Sequence, residues 1–313
     1  MTQTTAVIVT YNSEEYIRDA VESCLAAGIA VRVIDNASVD DTVGRIPKRG
    51  EVTVVRNSAN AGFAGGVNQG VRAVDTPYVL LLNPDARLTT GIEALERAVR
   101  EEGHMAAAGM LVAEDNSPQK GFTYRNLPTP AALAFEVLGI NRIWPANPVN
   151  RRYRCLDADL LTARTVEQPA AAFLLFRREV WESLGGFDER FHPVWLEDVD
   201  FCKRILAAGG SIRYDPAAKA THFGGHSVQK IDFGKRMNVW YASLLKYVSK
   251  HFSPFARRVV AAAVVVGVVP RVLFRSRRAP QQSAIAIILQ IWRMAGTCFF
   301  QRASSFSPST KWL

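Results

Sequence analysis

Two short stretches place carboxylates where they could do chemistry. In residues 79–86, "VLLLNPDA", four branched apolar residues run into Asn83, Pro84 and Asp85. Asn-Pro-Asp is good turn chemistry by itself. An aspartate held by a proline at the mouth of a sheet also suits a hard divalent cation, because Mg²⁺ takes one or two protein carboxylates and completes its shell with substrate phosphates. In residues 195–205, "WLEDVDFCKRI", Glu197, Asp198 and Asp200 crowd into the first turn of an expected helix, beside Trp195 and the Phe191-His192-Pro193 run. Acids at that end offset the helix dipole. The same field favours an ionised carboxylate, available to accept a proton.

Two other stretches carry polar groups around glycines. "ATHFGGHS", residues 220–227, sets His222 and His226 four apart. That spacing suits a zinc site on a helix, but Gly224-Gly225 argues against a helix, and the two histidines read as separate residues. "NSANAGFAGGVNQG", residues 57–70, is a glycine-rich turn entering a helix. There the backbone can approach phosphate or ribose, and a helix N-terminus favours anions. It is not G-x-G-x-x-G, and the first strand leads into Tyr11-Asn12-Ser13 rather than a glycine turn. Neither a dinucleotide fingerprint nor a Walker A loop is present.

Elements to position these residues are legible around them. β-Branched runs at 6–10, 30–35, 52–56 and 78–82 alternate with helical periodicity at 14–27, 40–46, 62–73 and 91–102. The alternation predicts βαβ units and a mostly parallel sheet flanked by helices. Such sheets bind ligands beyond the carboxyl ends of their strands, and three of those ends are polar: Thr10-Tyr11-Asn12, Asp35-Asn36-Ala37-Ser38 and Asn83-Pro84-Asp85. Residues 115–165, rich in proline and bearing Arg151, Arg152 and Arg154, read as a long connection or partly helical insertion of the kind that sets selectivity. A strand at 170–176, a helix at 179–184, a second helix from 197 to 209 and a strand at 211–214 follow.

Beyond Asp232 the pattern is helical and basic. Of the 38 Lys and Arg in 313 residues, 13 lie from Phe233 onward, where there is no Asp or Glu. That leaves 25 basic against 29 acidic residues in 1–232. A mildly acidic body with a strongly basic tail calls for an anionic partner. The tail has no recognisable nucleic-acid module, so nucleic acid is not expected. The apolar run 259–269 is too short to span a bilayer. Flanked by Arg257, Arg258, Arg271, Arg275, Arg277 and Arg278, and followed by an apolar helix at 284–294, it suits a membrane interface with anionic lipids. Cys24, Cys155, Cys202 and Cys298 show no paired spacing, which argues against disulfides and zinc and fits a reducing compartment. The N-terminus lacks the basic n-region of a signal peptide.

Together, "VIVTYN", "IDNAS", "NAGFAGGVNQG", "LLLNPDA", "GGFDERF", "WLEDVDFCKRI" and "THFGGHS" resemble, in order, the inverting family 2 glycosyltransferases, in particular their rhamnosyltransferase-like branch. The resemblance covers residues 4–230. It implies a GT-A fold with a catalytic domain over 1–232, comprising a nucleotide-binding half (1–110) and an acceptor half (111–232), and a basic helical region over 233–313. Thr10, Asn12, Asp35 and Asn36 would hold the base and ribose of a dTDP- or UDP-sugar. Asn60, Gly62, Phe63 and Asn68 would line the nucleotide and its phosphates. Asn83 and Asp85 match the Asp-x-Asp element, with Asp85 a ligand to Mg²⁺ or Mn²⁺ and Asn83 standing where an aspartate is usual. His222 fits an additional metal ligand and Asp198 the catalytic base, with Glu197 and Trp195 near the sugar or acceptor. The implied acceptor is a glycan or polyprenyl-diphosphate-linked sugar at the inner face of the cytoplasmic membrane. Two rivals on the same fold differ in sequence demands. A nucleotidyltransferase should carry a basic glycine-rich loop near its N-terminus, and a non-catalytic nucleotide-sugar-binding module would not need Asp198.

Overall fold

A computed structural model describes residues 3–224, 232–276 and 284–300. His226, Arg277 and Arg278 therefore lie outside the described residues. The chain divides into two compact units: Met1–Leu127, Asp157–Pro193 and Glu197–Lys230 form the first, and Pro128–Leu156, Val194–Leu196 and Ile231–Leu313 the second.

The first unit opens with β1 (Thr4–Thr10), α1 (Ile17–Ala26), β2 (Ala30–Asp35), α2 (Thr42–Arg45), β3 (Val52–Arg56), α3 (Gly62–Arg72), β4 (Tyr78–Leu82) and β5 (Ala86–Leu88). It continues with α4 (Glu93–Arg100), β6 (Ala106–Val112) and β7 (Tyr124–Arg125). The sheet runs β3-β2-β1-β4 and then through strands that enter later in the chain. β1 is buried at every position, as expected of a central strand covered on both faces. Its neighbours β2 and β4 are parallel to it, and β3 is parallel to β2. This half matches the strand–helix alternation of the sequence.

The second unit holds the helices α5 (Pro130–Val137), α6 (Ile140–Ile143) and α7 (Pro148–Tyr153), where the proline-rich stretch leads. Thr129 and Asn147 cap α5 and α7 by accepting from Ala132 N and Asn150 N at 3.1 and 2.8 Å. The chain then returns to the first unit with β8 (Arg164–Val166), β9 (Gln168–Pro169), β10 (Phe173–Arg177), α8 (Arg178–Ser183), α9 (Glu197–Ala207) and β11 (Ile212–His222). β10 inserts antiparallel between β4 and β6. β11 runs parallel to β6 and antiparallel to β5 and β8. The complete sheet is thus mixed, with its antiparallel pairs confined to the half built after β4.

β6 has no counterpart among the strands expected from sequence. Its segment, "AAAGMLV", is buried throughout but carries a single β-branched residue, Val112, where a run of them would announce a strand. Small side chains are required there. A Cβ on Gly109 would fall 2.1 Å from Phe173 Cε1 and 2.6 Å from Ala218 O. Glycines in α3 likewise let the helix approach β1, since a Cβ on Gly66 or Gly70 would lie 2.6 or 2.4 Å from Val9 or Val7.

The second unit ends in α10 (Phe233–His251), α11 (Pro254–Ser276) and α12 (Ala284–Phe300). Asp232 caps α10, accepting from Gly234 N and Lys235 N at 2.9 and 3.2 Å. α11 packs on α12 and on α5, with Gly267 at the crossing: its Cβ would lie 2.1 Å from Val137 O. No helix among the described residues is long and apolar enough to cross a membrane. Gly109→Ala should lower stability by about 1–3 kcal/mol, because the carbonyl of Ala218 cannot move aside as a side chain could. The midpoint of urea unfolding measures it.

Candidate active site

The carboxyl ends of β1, β2 and β3 converge through amides and short turns. Asn36 N donates to Thr10 O at 2.9 Å, and Asn57 N to Asp35 O at 2.8 Å. Asn12 adopts a left-handed conformation (φ 53°) that asparagine tolerates. Its N–H donates to Ser38 Oγ, and its Oδ1 accepts from Val39 N, both at 2.9 Å. Asp35 is fully buried, with each carboxylate oxygen 3.3 Å from Ser38 N. Asn36 Nδ2 donates to Gly62 O at 3.0 Å, and Asn60 Oδ1 accepts from Gly62 N at 2.8 Å. Gly62 has φ +76° and its Cβ would meet the His192 ring at 2.9 Å, while Phe63 N donates to Pro193 O at 2.7 Å. Thr10 Oγ1 is buried with no protein hydrogen-bond partner, which leaves a polar atom for a ligand.

Asn68 plays a different part from the one expected. Its Nδ2 donates to Phe187 O and Glu189 Oε1 at 2.9 and 2.8 Å, and its Oδ1 accepts from Trp181 Nε1 and Phe187 N at 3.0 and 2.8 Å. Two donors and two lone pairs complete an amide. Asn68 therefore anchors residues 181–189 to α3 and has nothing left to offer a phosphate.

Asp85 and His222, far apart in sequence, are joined because β11 pairs with β5, His222 opposite Ala86. Phe223 N donates to Asp85 O at 3.0 Å. Asp85 Oδ1 lies 3.5 Å from His222 Nε2, with Asn83 Nδ2 at 3.4 Å from the same nitrogen. The imidazole is held on its other side by Gln119, a residue with no sequence signal. Gln119 Nε2 donates to His222 O at 2.5 Å, so its Oε1, 3.1 Å from Nδ1, must accept from an Nδ1–H. Burial depresses the imidazole pKa despite the opposing pull of Asp85. A neutral ring with its proton on Nδ1 turns a lone pair at Nε2 toward a carboxylate oxygen. Two electron-rich atoms so placed suit a shared cation, and an outer hydrogen bond that fixes the tautomer is the usual companion of a metal-bound histidine. Oxygen and nitrogen donors of this kind fit Mg²⁺ or Mn²⁺. Among the described residues, no group of three or more His, Cys, Asp or Glu gathers into a fuller cage.

The three acids of α9 separate by environment. Asp200 is fully buried and binds Arg204 Nε at 2.8 Å, and that guanidinium donates to Leu184 O and Gly186 O at 2.9 and 2.8 Å. It locks the helix to the preceding turn. Glu197 is 4% exposed, and its Oε2 has no protein partner. Desolvation, with Asp198 and Asp200 nearby, pushes its pKa well up. Asp198 alone keeps a partly open face. Its Oδ1 accepts from Val199 N at 2.8 Å and its Oδ2 from Ala171 N at 3.4 Å. Burial raises its pKa too, against the lowering by those amides and by Arg125. Of the two acids expected to carry chemistry, Asp198 is open to a substrate and Glu197 is enclosed. Trp195 falls in the second unit, with φ 83°.

Two routes connect the Asp85–His222 pair to Asp198. On the backbone, Asn83 N donates to Ala172 O at 3.0 Å, while the adjacent Ala171 N donates to Asp198. Through side chains, Phe122 stacks on His222 (centroids 5.1 Å apart, 10° between planes) and Arg125 lies 5.8 Å over Phe122. Arg125 Nε is fixed by Gly121 O at 2.7 Å. Phe122 and Arg125 escaped the sequence reading because they sit in an irregular stretch with no periodicity.

Residues 5–183 match the family described as "Glycosyl transferase family 2". The chain is 29% identical over 243 residues to the N-acetylglucosaminyl-diphospho-decaprenol L-rhamnosyltransferase of Mycobacterium tuberculosis (strain ATCC 25618 / H37Rv), covering 71% of this chain and 76% of that one. It is 22% identical over 255 residues to rhamnosyltransferase WbbL of Escherichia coli (strain K12), covering 78% and 92%. Among solved structures, mannosyltransferase PcManGT from Pyrobaculum calidifontis, in complex with GDP-Man and Mn²⁺, superposes with a TM-score of 0.52 at 13% identity, covering 95% of this chain and 84% of that one. With that family matched over more than half of its length, the chain belongs to the family 2 glycosyltransferases, with a GT-A fold.

Proposed function

We propose that the chain transfers a sugar from a dTDP- or UDP-linked donor to a hydroxyl of a polyprenyl-diphosphate-linked glycan, with inversion at the anomeric carbon, in cell-surface polysaccharide synthesis. L-Rhamnose, transferred to N-acetylglucosamine on a polyprenyl diphosphate, is the pairing favoured by the name of the mycobacterial relative. What supports the reading is the consecutive use of Ala171 N and Ala172 O to hold Asp198 and Asn83, which links the candidate proton acceptor to the turn that bears Asp85.

In this reading Thr10, Asn12, Asp35 and Asn36 bind base and ribose, and Asn60, Gly62 and Phe63 shape the loop along the nucleotide. Mg²⁺ or Mn²⁺ would be held by Asp85 and His222 with Asn83 beside them, and when bound supplies positive charge against the charge developing on the departing diphosphate. Asp198 takes the proton of the acceptor hydroxyl as that oxygen attacks the anomeric carbon on the face opposite the leaving group. Displacement in one step needs no enzyme nucleophile. Glu197 is enclosed, and desolvation favours its neutral form, which limits the negative charge beside Asp198; Trp195 would offer an indole face to a sugar. The acceptor's lipid places the reaction at the inner face of the cytoplasmic membrane, with the basic helices toward it.

Asp198→Asn should lower turnover by about 10²–10⁴-fold while leaving binding of the donor nucleotide unchanged. Near-normal turnover in that variant overturns the assignment. Because burial raises the Asp198 pKa, the acid limb of the wild-type kcat/KM profile should lie above the ordinary carboxylate range. The residual activity of the Asp198→Asn variant should lack that limb. Asn83→Asp, which adds a carboxylate beside Asp85, should tighten Mn²⁺ binding by roughly tenfold, the scale of one added close opposite charge at a partly buried site, as read by loss of the free-ion EPR signal. Gln119→Leu should weaken Mn²⁺ binding by about 10–100-fold. Gln119→Glu, which still accepts from Nδ1–H, should recover most of that loss.

A further inference from the structure

The second unit differs from the first in both charge and surface. Its segments carry 17 Lys and Arg against Glu136 and Asp232, a net +15, whereas the rest of the chain has 21 basic and 27 acidic residues, a net −6. The tail alone does not account for this, because Arg142, Arg151, Arg152 and Arg154 come from the 128–156 insertion. Eleven of the fifteen exposed large apolar side chains among the described residues also belong to this unit.

These side chains are ordered along the helices. On α11, Phe255, Val259, Val266 and Leu273 are exposed at spacings of four, seven and seven, which is one helical face. Val260, Val264, Val268 and Val272 are fully buried on another. α12 repeats the pattern, with Ile285, Leu289 and Trp292 exposed and Ile288, Ile291 and Ala295 buried. A helix apolar on all sides is at home only where each side is covered. The protein covers one side of each, and among the described residues neither helix is both long and apolar enough to cross a membrane. The insertion adds Ile143 and Trp144, 86% and 57% exposed, beside the exposed Arg142. It is tied to α11 at Gly267, against Val137 O, and by Arg271, which joins Asn141 and Arg154 in holding the partly buried Glu136 carboxyl below its ordinary range against the upward push of burial.

We propose that the second unit docks on an anionic lipid bilayer, with the exposed rows of α11 and α12 and the Ile143-Trp144 tip of the insertion entering the interface together. Apolar side chains interleaved with arginines are the composition that such a surface recognises, the apolar groups entering the acyl boundary and the cations pairing with headgroups. The inference rests on the reading of a lipid-linked acceptor and extends the docking surface to a segment well outside the basic tail.

Flotation of the full chain with vesicles of phosphatidylcholine, alone or mixed with phosphatidylglycerol, tests it. Wild type should float with the mixed vesicles and not with phosphatidylcholine alone. Ile143→Ser with Trp144→Ser, and separately Val259→Ser with Val266→Ser, should each lower the partition coefficient about tenfold or more, the scale of losing more than one inserted side chain, with melting temperature and Mn²⁺ binding unchanged. If only the α11 variant loses binding, the helices dock alone and the role of the insertion is overturned. If wild type ignores both vesicles yet transfers sugar to a water-soluble acceptor analogue, the docking proposal falls and the transferase reading stands. A dimer in vesicle-free buffer that the serine variants split into monomers assigns the face to a second copy and also overturns it.

Discussion

A strand that runs against its neighbours presents the opposite end to a shared edge. In the first unit β1, β2, β3 and β4 all deliver their carboxyl ends to one rim, and β10, antiparallel to β4, delivers its amino end there. The two residues just before β10, Ala171 and Ala172, therefore arrive with free backbone groups beside Asn83. One donates its N–H to Asp198 and the other lends its carbonyl to Asn83. Most of what the site can do follows from this reversal.

The electrostatics of the rim show how burial sorts chemically identical groups. Asp198, Glu197 and Asp200 share one turn of one helix. One is locked to Arg204, one is enclosed with an unpartnered oxygen, and one keeps a partly open face. A similar sorting acts on His222, where Gln119 decides which nitrogen keeps its proton. Asn83 brings a dipole in place of a charge, so Asp85 is the one carboxylate of that turn.

Much of the first half of the fold was legible from sequence, because local signals coincide with global ones there. β2, β3 and β4 begin and end where their β-branched runs do. β6 was not legible, since its alanines and Gly109 answer to Phe173, a partner more than sixty residues away. The polar strand ends, Asp85, His222 and Asp198 could be read as candidates from residue type and order. Their arrangement could not, because β11 extends to His222, well past the short strand that its β-branched content suggests, and that extension is what reaches Asp85. Asn68 shows the reverse error. A polar residue on a glycine-rich helix looks like a ligand-binding group, and only its four protein hydrogen bonds show it to be a structural clamp.

The chain makes a brief excursion just before α9. Val194, Trp195 and Leu196 belong to the second unit, where Ser243 Oγ donates to Val194 O at 3.0 Å, and Glu197 belongs to the first. Trp195 and Leu196 both sit at positive φ, 83° and 71°, a region that bulky side chains occupy only under constraint. Negative φ suits both side chains better, so this stretch keeps its shape only as long as the surrounding structure over-determines it.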